Sequence, residues 1–298
     1  MPLIRLAAVL ACALQILLVT DAFAQIGATP AQKSDPTVVQ SVARSADIAR
    51  VEGVEDGTKG GERIMVDVPV GSIECSVDPN ATKTRVSAEF KVDGKDAADA
   101  QRRAKLVKLY AERAPDGTII VDAMFPGAAM PMDTVKLAIV APPTQELVLK
   151  SASGSVRARS TMGALRVSTK SGAIFVENHV GPVDARAASG RIEIKGARES
   201  VQATSASGAI DLALADGNDQ VFTLESRSGA VRVEVGAGFD GVVTLASSSG
   251  ALAVVDPAKR ARIPQQSETR IVAEIGAAAA PSTIDTTSGA ATLVVRGK

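Results

Sequence analysis

Aromatic residues and cysteines are scarce in this chain of 298 residues. It has no tryptophan, one tyrosine, six phenylalanines and two cysteines. Surfaces that bind sugars or nucleobases usually carry exposed aromatic rings, so their scarcity weighs against such stacking surfaces. His179 is the only histidine, and a metal cluster built from several histidines is therefore excluded.

An excess of charge of either sign is also missing. The 33 Lys and Arg residues equal the 33 Asp and Glu residues in number. A zero net charge argues against a nucleic acid or an anionic membrane held by bulk charge. We therefore expect no nucleic-acid partner.

The first 24 residues predict a secretory signal peptide. Arg5 gives a positive start, residues 6–19 are an apolar run, and Ala22-Phe23-Ala24 is a small-x-small cleavage site. The run is short for a membrane span, and no later segment approaches one. The sequence thus predicts a bacterial protein that is exported to the periplasm, the cell surface or the medium, with no transmembrane segment after cleavage.

The two cysteines leave alternatives open. Residues 9–12 also read as a lipobox, in which Cys12 would be lipidated. After signal cleavage only Cys75 remains, which excludes an intramolecular disulfide. We expect Cys75 to be a small buried residue of a strand; a disulfide between two chains is the alternative.

The region before residue 146 predicts a leader and a β-rich cap. Residues 25–37 lack periodicity and indicate a flexible leader, and residues 38–145 form the cap region. Alternating apolar positions in residues 66–92, interrupted by a turn at Gly71, predict antiparallel strands. Residues 96–104 predict one short helix capped by Asp96. Pro115-Asp116-Gly117 predicts a hairpin turn.

From residue 146 to residue 298 one cassette is repeated seven times. When its glycine is position 0, positions −7, −5, +2 and +4 are apolar in nearly every copy, and the copies follow each other at 18 or 21 residues until one gap of 39. Two short strands per repeat predict an all-β fold, a β-solenoid of two-strand coils. The predicted structural ladder is formed by Ser153, Gly154, Ser171, Gly172, Ser189, Gly190, Ser207, Gly208, Ser228, Gly229, Ser249, Gly250, Ser288 and Gly289.

Side chains of a strand alternate between its two faces, which predicts that the small residues at positions −3 and −1 point inward, like those at −7 and −5. Their hydroxyls would bond turn backbone or the next coil, and the glycine suits a bend or a close backbone approach. The three extra residues of the longer repeats fall around 216–218 and 236–238. The gap of 39 residues predicts one degraded coil at 271–275. The last strand, around 291–295, would leave a free edge that could pair with another chain.

Catalytic and metal-binding constellations are hard to assemble from this sequence. His179 precedes Gly181-Pro182, which predicts a solvated turn residue. Glu193 and Asp211 share position +3 in successive coils, so they predict an acid pair, a cation site, or part of a surface charge network with the nearby Arg191 and Arg232. We predict no catalytic residue, no metal site and no cofactor.

The phrases Ser-Gly-Ala-Ile-Phe-Val and Ser-Gly-Arg-Ile-Glu-Ile resemble a bacterial β-strand-repeat family of unknown function, often labelled "putative adhesin". Residues 137–154 are similar to its lead-in, and the resemblance covers about residues 62–298. The family typically has Asp after the Ser-Gly, where this chain has Ser, Ala or Arg. The resemblance implies the repeat fold and brings no catalytic residues with it.

The leading hypothesis is a non-enzymatic binding or scaffold protein of the cell envelope, adhesin-like, with an unknown protein or glycan partner. One alternative is a polysaccharide-active β-helix enzyme that uses Glu193 and Asp211. A second alternative is a self-assembling structural protein that associates through its C-terminal solenoid edge.

Overall fold

The computed structural model describes residues 39–49, 61–277 and 280–297. The predicted signal peptide (1–24) and leader (25–37) lie outside these residues. The described chain forms two β-sheets, A and B, that enclose an apolar interior. The prediction of an all-β solenoid with one short helix is confirmed. No helix of the described residues is long and apolar enough to cross a membrane.

The strands and the helix fall into three groups along the chain. The N-terminal elements are β1 Gln40–Ala49, β2 Glu62–Val77, β3 Lys83–Val92, α1 Ala97–Leu106, β4 Lys108–Arg113, β5 Ile119–Met124 and β6 Thr134–Ala141. The central strands are β7 Thr144–Ser153, β8 Val156–Arg159, β9 Ala164–Ser171, β10 Ile174–Glu177, β11 Val183–Ser189, β12 Ile192–Ala197, β13 Val201–Ser205, β14 Ile210–Leu214, β15 Phe222–Ser226 and β16 Val231–Val235. The C-terminal strands are β17 Gly241–Ser247, β18 Leu252–Val255, β19 Ala261–Gln266, β20 Arg270–Ile275, β21 Pro281–Thr286 and β22 Ala291–Val295.

Each central coil contributes one strand to each sheet. Strands β7, β9, β11, β13 and β15 stack in parallel in sheet B, and β8, β10, β12, β14 and β16 do so in sheet A. Equivalent cassette positions face each other, as in the row Leu147, Leu165 and Val183. The coil and its register were therefore predicted correctly, because a slip of one residue would turn every apolar side chain outward.

The last coil in sequence is not the last coil in space. Strand β21 lies between β15 and β17, and β22 lies between β16 and β18. The prediction of a free edge at Ala291–Val295 is therefore wrong, since both sides of β22 are paired. Among the described strands of sheet A, β18 occupies this end of the stack.

Residues 261–275 do not form a degraded coil. Strand β20 runs antiparallel to β17, and β19 runs antiparallel to β20. The apolar residues Ile271, Ala273 and Ile275 are buried as predicted, but the chain reverses at residues 267–269, in a hairpin between β19 and β20, instead of continuing as a parallel coil. An alternating apolar pattern gives the buried face of a strand and not its direction, which explains the error.

The N-terminal elements close the opposite end. Strand β2 bends at Gly71 and contributes to both sheets, where its neighbours β5, β6, β7 and β8 are all parallel. The prediction of antiparallel strands is thus wrong for residues 66–77, and it is confirmed for β3, which pairs antiparallel with β1 and β6. Strand β4 forms the predicted hairpin with β5, and Asp96 caps α1. The predicted division at residue 145 stays a prediction.

The Ser-Gly corner holds neighbouring coils together through position −3. The Ser226 hydroxyl accepts a hydrogen bond from Gly229 N (2.9 Å) and donates one to the Gly208 carbonyl of the preceding coil (3.2 Å). Ser247 and Thr286 do the same for their own coils. The predicted structural role of these inward hydroxyls is confirmed.

Position −1 differs from the prediction. Its serines are exposed to solvent, because the chain is already turning the corner and the period of 2 has been lost; they are Ser153, Ser171, Ser189, Ser207, Ser228, Ser249 and Ser288. In the first coils these serines still align as a ladder, with Ser153 opposite Ser171 and Ser171 opposite Ser189. Their side chains therefore face solvent, although the Ser249 hydroxyl also donates a hydrogen bond to the Thr287 carbonyl (3.2 Å), whereas the side chains at position −3 face the interior.

Candidate functional site

A groove runs along the outer face of sheet B, parallel to the direction in which the coils stack. Its volume is about 720 Å³. Successive strands contribute positions −4 and −2 to it, and these positions face outward because −5 and −3 face the interior. Small side chains form much of its floor: Ala152, Ser168, Ala188, Thr204 and Ala206.

Cations line one part of this groove, in consecutive coils. Lys150, Lys170 and Arg186 belong to β7, β9 and β11, which are direct neighbours in sheet B. Lys150 and Lys170 are exposed and make no salt bridge within the described residues. Arg186 is held by a bidentate pair with Asp184, in which both bonds are 2.9 Å long, and 63% of its side chain is exposed.

Acidic residues stand at both ends of the groove. Asp67 lies beside Lys150 in the adjacent coil, while Glu225 and Asp285 lie opposite each other in β15 and β21. Arg227 adds one more cation near the second end. With four cations and three carboxylates the groove is nearly balanced in total charge, but the charge is divided along its length, because three of the cations come in successive coils before Glu225, Arg227 and Asp285.

The order of the coils in space sets the extent of this groove. Asp285 and Thr287 line it only because β21 lies next to β15. The groove thus joins residues that are about 135 positions apart in the chain, from Lys150 to Asp285, into one continuous surface. If the coils stacked in sequence order, β17 would lie next to β15 instead, and Asp285 would not face Glu225.

Glu193 and Asp211 lie together on the outer face of sheet A, as their shared position predicted. Arg191 bridges them, with Nε 2.9 Å from an Asp211 oxygen and Nη2 3.3 Å from a Glu193 oxygen. Lys195 pairs with the other Glu193 oxygen. The hydrogen bond from Lys195 lowers the pKa of Glu193, whereas a general acid needs a raised pKa. The charge-network interpretation is therefore confirmed.

His179 is buried, and the prediction of a solvated turn residue is wrong. Its side chain is fully inaccessible, Nδ1 lies 2.9 Å from the Thr161 hydroxyl, and Nε2 has no hydrogen-bond partner within the described residues. The corner after each sheet A strand places one side chain inside, and His179 fills that place in its coil. Burial lowers its pKa to about 4.

We expect this histidine to make stability depend on pH. The unfolded chain takes up a proton near its ordinary pKa of 6.5, whereas the folded protein does so only near 4. Between these values the unfolded state binds more protons, so the free energy of unfolding falls as pH falls, by about 3 kcal/mol in all. Urea titrations from pH 7 to pH 4 should show this loss for the wild type and not for His179→Gln. Parallel pH curves for the two proteins would contradict it.

Cys75 is free and fully buried in β2. Burial raises the pKa of its thiol to about 12. The expectation of a small buried strand residue is confirmed, and a disulfide between chains would require the strand to leave the sheet.

The groove was not predicted from the sequence. Alternation shows which positions point outward, but not whether a column of equivalent positions in stacked coils forms a concave surface. Column −4 points outward, and it supplies Lys150, Arg186, Glu225 and Asp285. Columns −4 and −2, taken together along the coils, contain the row of cations. The order of the last coils was not readable from the columns.

Residues 131–242 match the model of the family described as Toastrack DUF4097. This confirms the resemblance drawn from the Ser-Gly phrases, and it covers part of the N-terminal region, the central coils and the start of β17. Toastrack DUF4097 is a family of unknown function, and its name assigns no activity to the groove.

Several solved structures match the chain at low similarity. A "putative adhesin" from Bacteroides fragilis NCTC 9343 is 13% identical, covers 86% of this chain and 97% of its own, and has a TM-score of 0.44. A "putative adhesin" from Parabacteroides distasonis ATCC 8503 is 8% identical, with the same coverage and a TM-score of 0.38. A "putative lipid binding protein" from the same organism is 12% identical, again with that coverage and a TM-score of 0.35. No curated protein matches the chain.

Proposed function

We propose that this protein is a non-enzymatic binding or scaffold protein of the bacterial cell envelope and that the groove of sheet B is its ligand site. The observation that carries the proposal is the contrast between the two sides of sheet B. Its inward positions are uniformly apolar or hydrogen-bonded to turn backbone, whereas its outward positions form a long concave row of charged and small residues. Such a surface suits an elongated partner that lies along the coils.

The predicted signal peptide supports a place outside the cytoplasm, in the periplasm or at the cell surface. The enzymatic alternative loses its support at Glu193 and Asp211, because both carboxylates are already engaged by Arg191. Self-association through the solenoid end stays a prediction, and its edge moves from β22 to β18. Light scattering over a concentration series would detect it.

The proposal can be tested by filling the groove. We expect the double variant Ala188→Trp with Ala206→Trp to lose most binding to purified cell-envelope fragments, because two indoles would stand on the floor of the groove. Thr292→Trp, on the outer face of sheet A, is the matched control and should bind like the wild type in co-sedimentation. Equal binding by all three proteins would refute the groove as the ligand site.

A further inference from the structure

We propose that the groove binds a linear acidic polysaccharide, whose carboxylate groups meet Lys150, Lys170 and Arg186 in successive coils. This inference rests on the proposed function of the groove and adds the chemical class of its ligand. Four features carry it: the spacing of the cations, the absence of ion pairs at the two lysines among the described residues, the small residues beside them, and the carboxylates at either end of the row.

The cations form a row in which successive members are spaced by the distance between neighbouring strands. Adjacent strands lie about 4.8 Å apart, so Lys150 and Arg186, two coils apart in column −4, are separated by roughly 10 Å along the stack. Lys170 stands in the coil between them, in the neighbouring column −2. An extended sugar chain advances by about one strand spacing per residue, which allows one acidic sugar per coil.

The row retains free binding capacity. Lys150 and Lys170 make no ion pair within the described residues, and Arg186 turns only part of its guanidinium to Asp184. Lysine ammonium groups attract a carboxylate as point charges and arginine binds it through two hydrogen bonds. An anionic ligand would therefore not have to displace an existing partner from the two lysines.

The floor favours a sugar chain over a flat partner. Ala152 and Ala188 allow a polymer to approach the backbone closely. In column −4 the half-buried side chain of Ser168 lies between Lys150 and Arg186, and that of Thr204 lies between Arg186 and Glu225. Their hydroxyls can pair with sugar hydroxyls. A membrane surface is too broad to reach this floor, and a nucleic acid would meet neither aromatic rings for its bases nor a net positive protein.

The carboxylates define where an anionic chain would bind. Asp67 precedes the row, and Glu225 and Asp285 follow it. Like charges repel a polyanion at these points, and Arg227 offsets only one of the two carboxylates at the second end, so the favourable contacts are concentrated in about three coils. This arrangement predicts weak, salt-sensitive binding of a short acidic segment.

Polygalacturonate and its fully methyl-esterified form are suitable probes, because they share a backbone and differ in charge. By calorimetry at low salt we expect the wild type to bind the acidic polymer and not the ester. Lys150→Gln with Lys170→Gln should weaken binding roughly tenfold, since each exposed charge contributes a modest amount. The matched control, Arg198→Gln with Arg232→Gln, removes two exposed cations outside the groove and should bind normally. Glu225→Gln, which removes a repulsive carboxylate, should tighten binding.

The outcomes separate this inference from the proposed function. Equal weakening by the groove and control pairs would overturn the inference, because binding would then follow total charge alone. If the wild type bound the methyl ester and the groove-filling tryptophans abolished that binding, the inference would also be overturned, but the groove would remain a ligand site. Failure to bind either polymer, while the tryptophans still abolish envelope binding, would likewise reject acidic polysaccharide as the ligand. If the double tryptophan variant bound cell-envelope fragments as well as the wild type does, the proposed function itself would be rejected.

Discussion

A chain that ends at residue 280 is expected to lose the order of residues 241–277 together with the two strands that are removed. The reason lies in the position of β21 and β22 between the β15–β16 coil and the β17–β18 coil. Without them, β17 and β18 lose their parallel neighbours. The apolar side chains of Phe222, Leu224 and Val233 would also lose the coil that covers them.

The effect should far exceed the loss of an ordinary terminal repeat. In a solenoid each coil is stabilised by its neighbours, and removal of an end coil normally costs one interface. Here truncation breaks two interfaces and leaves a four-strand segment, β17 to β20, without its attachment. Hydrogen exchange should show that amides in β17 and β20 lose protection, and the urea dependence of unfolding should decrease because less surface is buried.

A second deletion variant serves as the matched control for this prediction. Removing residues 241–280 instead would place Gly289 20 positions after Gly229, a spacing within the range of the regular repeats. Strands β21 and β22 would then follow β16 as an ordinary coil. We expect this variant to retain a cooperative fold, although it lacks more than twice as many residues as the truncated chain. If the truncated chain were the more stable of the two, β21 and β22 could not lie between the other two coils.

The repeat unit could be predicted from the sequence because each coil has the same alternation of apolar and polar residues and the same glycine at its corner. Alternating apolar residues predicted the strands, and the insertions near Gly217 and Gly238 fell in turns, as expected. The order of the coils was not readable, since every coil presents the same apolar and glycine columns to its neighbours. Val231 pairs with Ala291, and Leu252 would offer an equally apolar partner. Only tertiary context decides which coil lies next.

The site was predictable to a smaller extent. Outward columns can be read from period 2, but whether their residues form a groove depends on how the sheet curves. His179 shows the same limit, because the corner after a strand breaks the period and the sequence does not indicate which turn residue points inward. The wrong direction predicted for β20 has a similar cause: burial alternates identically in parallel and antiparallel strands.

Gly208→Ala is expected to cause the second large effect. A Cβ atom at this glycine would lie 1.8 Å from the carbonyl oxygen and 2.5 Å from the carbonyl carbon of Gly190. Both are backbone atoms in the adjacent coil, so no side chain can move aside. The same contact recurs at each Ser-Gly corner, from Gly154 against Gly71 to Gly250 against Gly289. Close approach of the coils is therefore the shared requirement for glycine.

We expect this substitution to lower the free energy of unfolding by about 4 kcal/mol or more, at the upper end of single-residue effects. Relief of the overlap would require β13 to separate from β11 near the corner, which would also break the backbone hydrogen bonds from Ala206 N to the Ala187 carbonyl (3.1 Å) and from Ser207 N to the Ala188 carbonyl (3.2 Å). Urea unfolding of the purified variant would measure the loss, and failure to fold would be its extreme form.

Gly217→Ala is the control that separates crowding from backbone conformation. Gly217 has a φ of +79°, yet an added Cβ would meet nothing within 4 Å. Its substitution should cost only about 1–2 kcal/mol, the usual penalty for an L-residue in the left-handed region. A cost at Gly208 no greater than at Gly217 would mean that the coils can separate easily at the corner. The glycine column would then not be what sets the spacing of the stack.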